Sequence, residues 1–361
     1  MIKHTRIVFL SSFMLVSCLT FAGNKDRIGQ SGVSQLKINP WAQSSGMANA
    51  GEASAIGLEA VNLNVAGLAF VNKTDIGFSR TSWLTGSEIN INAFGIGQKV
   101  GESSVLGISI MSMSFGDIQI TTVDLLEGGL GNFSPQYLNL GLSYAKSFSN
   151  SIFGGITLRS ISESMSNVSA RGASIDAGIR YITGENNRIK FGIALKNVGP
   201  KLKYAGDGLS TKVILRDEEL TLQQRAEGFD LPALLSIGAS YDIYINTSSD
   251  SLGVADVSDI DHKVTVAGSF VSNAFGKDQF ILGAEYSFRS FLQARVGYAY
   301  EKGSVGSVDT KDLTSAFTGP SAGASFILPL GSNGNKLAID YSYRTTISFS
   351  GTHSIGLRLN I

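Results

Sequence analysis

Histidine, cysteine and carboxylate side chains are the first candidates for chemistry, and this sequence has too few of the first two to build a site. The histidines are His4, His262 and His353, and the only cysteine is Cys18. His4 lies in an N-terminal stretch that has the features of a signal peptide, so neither a zinc cluster nor a Ser-His-Asp triad has enough candidates. We therefore expect no catalytic residue, no metal site and no cofactor, and the sequence predicts a protein that is not an enzyme.

Two carboxylate pairs and one glycine-rich run do not change this expectation. The pairs are Glu218 with Glu219 and Glu163 with Glu185, and no neighbouring feature prepares one member for acid-base chemistry. The run Gly128-Gly129-Leu130-Gly131 lacks the Lys-Ser/Thr pair with which a phosphate loop holds phosphate and metal. Solvated loop charge is the favoured interpretation of the two carboxylate pairs, and the glycine-rich run is rejected as a phosphate loop.

The composition of the chain suits a membrane protein that does not cross the bilayer with helices. Only 16% of the 361 residues are charged, against about 25% in an ordinary soluble protein. No stretch beyond the first two dozen residues approaches the roughly 18 consecutive apolar residues of a membrane helix. The formal net charge is zero, so nothing points to a nucleic-acid partner.

A period-two pattern of apolar and small or polar residues recurs about fourteen times between Asp75 and Ile361, as in a transmembrane β-barrel. From Gln279, for example, Phe280 and Leu282 fall on one face of a strand while Ile281 and Gly283 fall on the other. The sequence predicts an all-β fold, a 14-stranded antiparallel transmembrane β-barrel. The predicted strands are Asp75–Trp83, Ile89–Val100, Ser104–Phe115, Gln136–Phe148, Ser151–Met165, Ala173–Ile182, Arg188–Val198, Ala233–Ile245, His262–Val271, Gln279–Phe288, Phe291–Glu301, Ser321–Leu328, Lys336–Thr346 and Thr352–Ile361.

The N-terminal region divides into a signal peptide, residues 1–22, and a mixed segment, residues 23–73, ahead of a barrel over residues 74–361. Basic residues, an apolar run and Thr20-Phe21-Ala22 suit signal-peptidase cleavage. Leu15-Val16-Ser17-Cys18 also fits a lipoprotein box, so lipidation of Cys18 stays open. Apolar side chains in the mixed segment need burial, and the barrel lumen is the available place. We expect a hatch there, which disfavours an open diffusion porin; its key residues are Trp41, Met47, Leu63, Leu68 and Phe70.

Connection lengths predict the orientation of the barrel. The long connections Gly116–Pro135, Gly199–Pro232 and Lys302–Pro320 all follow odd-numbered strands. With an even strand count both barrel ends lie on the periplasmic side, so these loops should be extracellular. Asn246–Asp261 is an acidic exception after an even strand and is interpreted as a solvated excursion. Four aromatic residues near strand ends suggest an aromatic girdle: Trp83, Tyr137, Tyr298 and Tyr300.

Several short motifs resemble the PorV/PorQ family of outer-membrane proteins. Ile38–Ala53 is similar to the family's N-terminal Pro-x-Ala-x-x-x-Gly-Met-x-x-x-Gly signature, and Asn64–Ala69 is similar to its Asn-Pro-Ala motif, with Val65 where Pro usually stands. Three further similar stretches follow in the expected order: Thr81–Leu84, Asn197–Leu202 and Asp230–Pro232 with the strand after it. The Trp-Leu pair and the Gly-Met run look closer to PorV than to PorQ.

The resemblance implies a barrel like that of long-chain fatty acid transporters, with the hatch in its lumen, in the outer membrane of a Gram-negative bacterium. It also implies a role in type IX secretion. Such proteins bind exported proteins through their C-terminal signal domains, dock with the translocon barrel and pass cargo to the surface attachment complex. Outer-membrane lipid is the surrounding partner.

A binding role needs surfaces, and aromatic or aliphatic anchors in a polar rim are their usual form. The predicted partner-binding loop residues are Phe133, Tyr137, Tyr204, Ile214, Phe229 and Phe317. They could equally pack among themselves as a cap. The alternative function is an outer-membrane transporter of hydrophobic small molecules. The glycines in Phe94–Gly97 and Phe153–Gly155 could then kink the wall into a lateral gap, or they could be lumen faces crowded by the hatch.

Overall fold

A closed antiparallel β-barrel of fourteen strands forms the body of the molecule. The computed structural model describes residues 25–216, 218–247, 260–289, 291–302, 314–331, 334–347 and 349–361. The barrel strands are β1 Thr74–Trp83, β2 Ile89–Val100, β3 Ser104–Ser114, β4 Gln136–Ser147, β5 Ile152–Met165, β6 Val168–Thr183, β7 Ile189–Val198, β8 Leu234–Thr247, β9 Ile260–Asn273, β10 Gln279–Phe288, β11 Leu292–Glu301, β12 Gly319–Leu330, β13 Asn335–Arg344 and β14 Thr352–Asn360.

Each strand pairs with its sequence neighbour, and β1 pairs with β14 to close the barrel, with Asp75 opposite Asn360 and Ser82 opposite His353. The register is regular except between β6 and β7, where it shifts between Ile175 and Ala177. The predicted fold is therefore confirmed, and most strand ends agree within two residues. The largest difference is in β6, which begins at Val168 rather than Ala173, because Ser169 and Arg171 in this extension weaken the alternating signal. β9 and β12 each begin and end two residues outside the predicted bounds.

The alternation of side chains is the physical reason for the barrel. Along β10 and β11, Leu282 and Val296 point outward and are exposed, as lipid-facing residues must be, while Arg295 points into the lumen and is buried. The alternation of inward and outward positions along each strand corrects the expected aromatic girdle. Trp83 and Tyr137 lie on the lumen face and are buried, so they are not girdle residues, whereas Tyr298 faces outward. Among the described residues, no helix is long and apolar enough to cross a bilayer.

The lumen segment, residues 25–73, lies inside the barrel and occupies much of its lumen. It contains one short helix, α1 Ala42–Gly46, and 3-10 turns at Lys25–Arg27, Ser34–Lys37, Gly57–Asn62 and Val65–Phe70. The segment starts beside the β7–β8 connection, where Ser31 bridges Asp230. It ends at β1 on the opposite side of the barrel. We call the end of the barrel at which odd-numbered strands finish the mouth end.

The connections at the mouth end carry small elements of their own. Ile118–Gln119 pairs with Asn132–Phe133, and a separate hairpin pairs Ser210–Leu215 with Glu218–Gln223. The mouth end also has a two-residue turn between β5 and β6, shorter than the connection lengths predict. The expected signal peptide with Cys18, and residues 248–259 of the acidic connection, lie outside the described residues.

Candidate functional site

Inward-facing glycines around the wall form the seat of the lumen segment. A Cβ placed on Gly297 of β11 would lie 2.3 Å from the carbonyl carbon of Met47, and one on Gly192 of β7 would lie 2.3 Å from the carbonyl oxygen of Glu52. No side chain fits at such distances, so only glycine allows the two backbones to meet. Gly95 and Gly155 also face the lumen segment, which favours crowding by the hatch over a kinked wall.

The residues of the two signature motifs make this contact. The indole of Trp41 lies against Gly77 and Gly95 of β1 and β2, and its ring nitrogen donates to Asn62 at 3.2 Å. Asn64 donates to the carbonyl oxygens of Glu52 and Ile179, both at 3.0 Å, and accepts from the amide of Ala66. Asn64 thus caps the turn that follows it and ties that turn to β6, a role that Val65 in place of Pro does not remove.

The predicted hatch residues all pack inside the barrel, against the wall or against other residues of the lumen segment. Trp41 and Leu68 share a cluster with Leu58, Met47 packs with β8, β9, β10 and β11 residues, and Leu63 is buried. The ring of Phe70 lies 4.4 Å from that of Phe153 on β5.

Four of the six predicted loop residues lie together in an apolar cluster that closes the mouth end. We define this mouth cluster by its buried members, Val33, Leu36, Ile38, Trp83, Ile91, Met111, Met113, Tyr137, Ile161, Ala170, Leu202 and Leu231. Tyr204, Phe229 and Phe317 pack against it. Tyr137 is 1% exposed, so its side chain is not available to a partner in this conformation. Phe133 is half-buried in its short strand, whereas Ile214 is 79% exposed.

Two groups of exposed apolar residues near the predicted ones were missed from the sequence. On one face of the hairpin, Val213 lies opposite Leu220, and Leu215 and Leu222 share that face. We call these four residues the hairpin patch. In the β3–β4 connection Val123 is 92% and Leu126 is 78% exposed. The alternation around Thr211–Leu215 could have identified the hairpin, but it is short and interrupted by charge.

Ion pairs fasten the lumen segment and brace the wall. Arg159 on β5 contacts Asp176 on β6 at 2.6 Å, both side chains are 4% exposed, and Arg159 also donates to the carbonyl oxygen of Val61. On the other side of the lumen, Arg295 contacts Glu285, also at 2.6 Å. Charges that are paired and hydrogen-bonded can be buried, and both arginines meet that condition.

Two carboxylates of the lumen segment lie deep in the barrel. Burial raises the pKa of Glu52, opposed by the nearby charge of Lys196 and a hydrogen bond from Ser269. Burial likewise raises the pKa of Glu59, opposed by the charge of Arg358; the amide and hydroxyl of Ser44 donate to this carboxyl group. Among the described residues, no group of three or more His, Cys, Asp or Glu side chains could hold a metal ion.

The sequence model of one protein family, "Type IX secretion system protein PorV", matches residues 21–216. That span covers the lumen segment and β1 to β7, and therefore both signature motifs. The chain belongs to the PorV family. It is accordingly an outer-membrane component of the type IX secretion system of a Gram-negative bacterium. The histidine and cysteine count led us to expect a protein that is not an enzyme, and members of the PorV family are not enzymes. No curated protein matches the sequence.

Solved structures share the barrel at low sequence identity. The "TodX deltaS2S3 mutant monoaromatic hydrocarbon channel" is 12% identical, with a TM-score of 0.55 and coverage of 89% of this chain and 98% of the other. The Pseudomonas putida toluene transporter TodX is 11% identical, with a TM-score of 0.52 and coverage of 89% and 97%. At such identities the likeness shows a common fold and no more.

Proposed function

We propose that this PorV-family protein binds exported proteins through their C-terminal signal domains at its mouth end. We further propose that it docks there with the translocon barrel and the attachment complex. The observation that carries the proposal is the contrast between a filled lumen and connections that expose apolar side chains. Large apolar side chains on a polar rim are the usual anchors of a protein interface.

The hairpin patch is the best-defined part of the proposed surface. Among the described residues, the two strands of the hairpin pair with each other and with no other strand, and a two-stranded hairpin is marginally stable alone in water. Its other face carries Lys212 paired with Glu219 and one exposed apolar residue, Ile214, so most of the hairpin's apolar side chains lie in the hairpin patch. A partner that covers the hairpin patch would bury that face and leave the charged pair in solvent.

The β3–β4 connection offers a second apolar surface at the same end. Val123, Leu125, Leu126 and Leu130 are exposed there beside Asp124 and Glu127. The connection is anchored by the short strand pair that contains Phe133. Two separate apolar surfaces suit a protein that must hold more than one partner, and we assign cargo to the hairpin patch and leave the second surface to the secretion machinery.

Co-purification from the outer membrane tests this function. The tagged full chain is extracted in mild detergent, its partners are identified by mass spectrometry, and bound lipid is extracted in parallel. We expect a very large barrel protein and secreted proteins that share a C-terminal domain. Recovery of the protein alone, with a stoichiometric hydrophobic ligand, would contradict the proposal.

A transporter of hydrophobic small molecules is the second candidate, because the TodX proteins of similar fold are described as a toluene transporter and a hydrocarbon channel. Passage would require the lumen segment to leave its glycine seat or to shift within it. Uptake of radiolabelled toluene by cells with and without the protein tests this transport function directly.

A further inference from the structure

A cavity of about 300 Å³ lies at the base of the barrel, the end at which even-numbered strands finish. The connection lengths predict that this end faces the periplasm. The wall of the cavity follows the barrel from β9 to β14, and the lumen segment contributes Gln43, Ile56 and the run Phe70–Lys73. We call this cavity the base cleft. It lies at the opposite end of the barrel from the mouth cluster.

The charged side chains that line the base cleft are mostly cations. Among the described residues they are Lys73, Lys263, Lys336 and Arg358, against one side-chain carboxylate, Asp75. An excess of positive charge in a cavity attracts anions by Coulomb interaction, most strongly where the walls exclude water. The base cleft therefore favours an anionic ligand.

Arg358 and Asp75 already have partners in the protein. Arg358 donates to both carboxylate oxygens of Asp340, at 2.6 and 3.0 Å. Asp75 accepts from the amide of Leu58 at 2.9 Å and from the side chain of Asn360 at 3.0 Å. These bonds hold the two charges in the wall, so a ligand would depend on the remaining cations.

The three lysines are the cations without a polar partner. None of their side chains forms a hydrogen bond or an ion pair with another described residue, including Ile361, which also lines the base cleft. Lys263 is half-buried, whereas Lys73 and Lys336 are exposed. A half-buried ammonium group gives up part of its hydration, and an anion bound beside it would offset that cost.

The lysines lie at two separate ends of the base cleft. Lys336 on β13 is opposite Asn360 of β14, and Lys73 directly precedes β1, the next strand of the wall. Lys263 lies on β9, four strands away from β13. At roughly 4.8 Å per strand, four steps span up to about 19 Å along the wall. A ligand that meets both ends must therefore carry negative charges that lie apart from each other.

Between these ends the lining is partly apolar and partly amide. Ile56 is 54% exposed although it belongs to the lumen segment, and Phe70 and Ile327 are half-buried. Gln43 and Gln293 add side-chain amides that can bond a peptide backbone. An extended peptide advances about 3.3 Å per residue, so five residues cover most of the distance between the lysines.

We propose that the base cleft binds an acidic, extended peptide segment of a periplasmic protein. Its carboxylates would lie at Lys263 and Lys336, and its apolar side chains against Ile56. The proposal concerns the end of the barrel opposite the mouth, so it does not rest on the partner role proposed above.

Isothermal titration calorimetry on the full chain in nonionic detergent tests the proposal. The probe is a peptide with blocked ends in which three glutamates alternate with two leucines, and its uncharged match has glutamine in place of each glutamate. We expect saturable binding of the acidic peptide and at least about tenfold weaker binding of the glutamine peptide. Equal binding of the two peptides would overturn the proposal.

Charge variants identify the lysines that hold the peptide. Lys263→Gln should weaken binding about tenfold, and Lys336→Gln about threefold, because it is exposed. Lys263→Arg should keep the affinity within about threefold. Lys146→Gln is the matched control, since Lys146 lies at the base end of β4 on the outward face, with Tyr144. If Lys263→Gln fails to fold, Lys336→Gln still decides. Full affinity in the Gln variants of the base cleft, or an equal loss in Lys146→Gln, would contradict the proposed site.

Competition by glutarate distinguishes a peptide site from a site for small anions. Glutarate carries two carboxylates but is too short to reach both ends of the base cleft, so we expect it to displace the acidic peptide only at concentrations at least about a hundredfold higher than the peptide itself requires. Displacement by glutarate at concentrations similar to those of the peptide would assign the base cleft to a small dicarboxylate and overturn the peptide proposal.

Discussion

Apolar side chains meet opposite surroundings in the lumen and in the mouth-end connections. Trp41, in the lumen segment, is 2% exposed, whereas Val123, in the β3–β4 connection, is 92% exposed. The ion pairs differ in the same way: Arg159 and Asp176 are 4% exposed in the lumen, whereas Arg27 and Asp230 at the mouth are 41% and 33% exposed. The lumen therefore holds its apolar side chains and ion pairs away from solvent, whereas the mouth-end connections leave theirs accessible.

Loss of the lumen ion pair between Arg159 and Asp176 should have the largest effect on stability. Arg159→Met leaves Asp176 buried without its cation and should lower the free energy of unfolding by about 3–5 kcal/mol. Arg27→Met, at the exposed pair, should cost no more than about 1 kcal/mol. Urea unfolding of both variants in lipid vesicles measures the difference. Equal losses would mean that lumen and mouth do not differ as described.

The glycine seat gives the next largest effect. Gly297→Val drives a side chain into the backbone of Met47 and should cost about 1–3 kcal/mol or more through overpacking. Gly268→Val is the matched control, since the Cβ of Gly268 would lie 3.4 Å from the end of the Leu282 side chain and 3.9 Å from the carbonyl oxygen of Ile281, both ordinary contacts. Vesicle leakage should rise with Gly297→Val alone. A tight, stable Gly297→Val protein would show that the seat is looser than the structure indicates.

The connections should respond in the opposite way. Leu215→Asp with Leu222→Asp removes the hairpin patch without touching the lumen, so we expect unchanged stability within about 0.5 kcal/mol. Binding of an exported C-terminal signal domain should weaken at least about tenfold, as for loss of interface anchors. Lys212→Gln, on the other face of the hairpin, is the control in a surface-binding assay with the purified domain. Retained affinity in the double variant would remove the hairpin patch from the proposed interface.

A smaller, pH-dependent effect should come from Glu52. Because burial raises its pKa in the folded protein, its contribution to stability is complete below the pKa of the unfolded chain and is lost as pH rises through the folded value. The slope for one proton is at most about 1.4 kcal/mol per pH unit. Glu52→Gln should flatten the decline of stability with rising pH. An unchanged or steeper decline would show that Glu52 stays ionised in the folded state.

Local patterns were enough to predict the barrel. Period two identifies each strand because one face contacts lipid and the other faces the lumen. The apolar residues of the lumen segment, such as Leu68, indicate that this segment must be buried. Parity also determines the direction of Trp83, which shares its face with Ser79 and Thr81. The aromatic-girdle expectation overlooked that parity, because residue type near a strand end was allowed to outweigh it.

Contacts between distant residues could not be predicted in the same way. The glycines of β7 and β11 look like weak strand positions in the sequence, and their meaning depends on which part of the lumen segment lies against them. The same holds for the mouth cluster, where Val33 and Leu231 come from distant parts of the chain. Such sites require the packing of the lumen segment, which no local period encodes.

A covalent lock on the lumen segment tests the account most directly. A Cβ on Gly356 would lie 3.2 Å from that of Ala42, close to the roughly 3.5–4.5 Å of a disulfide, so Ala42→Cys with Gly356→Cys should join the segment to β14. Secretion and surface attachment of cargo are measured in cells with the lock oxidised and then reduced. We expect secretion to continue when the lumen segment is locked, because the proposed binding surfaces lie on the mouth-end connections. Secretion that stops on oxidation and returns on reduction would contradict the account and favour passage through the lumen.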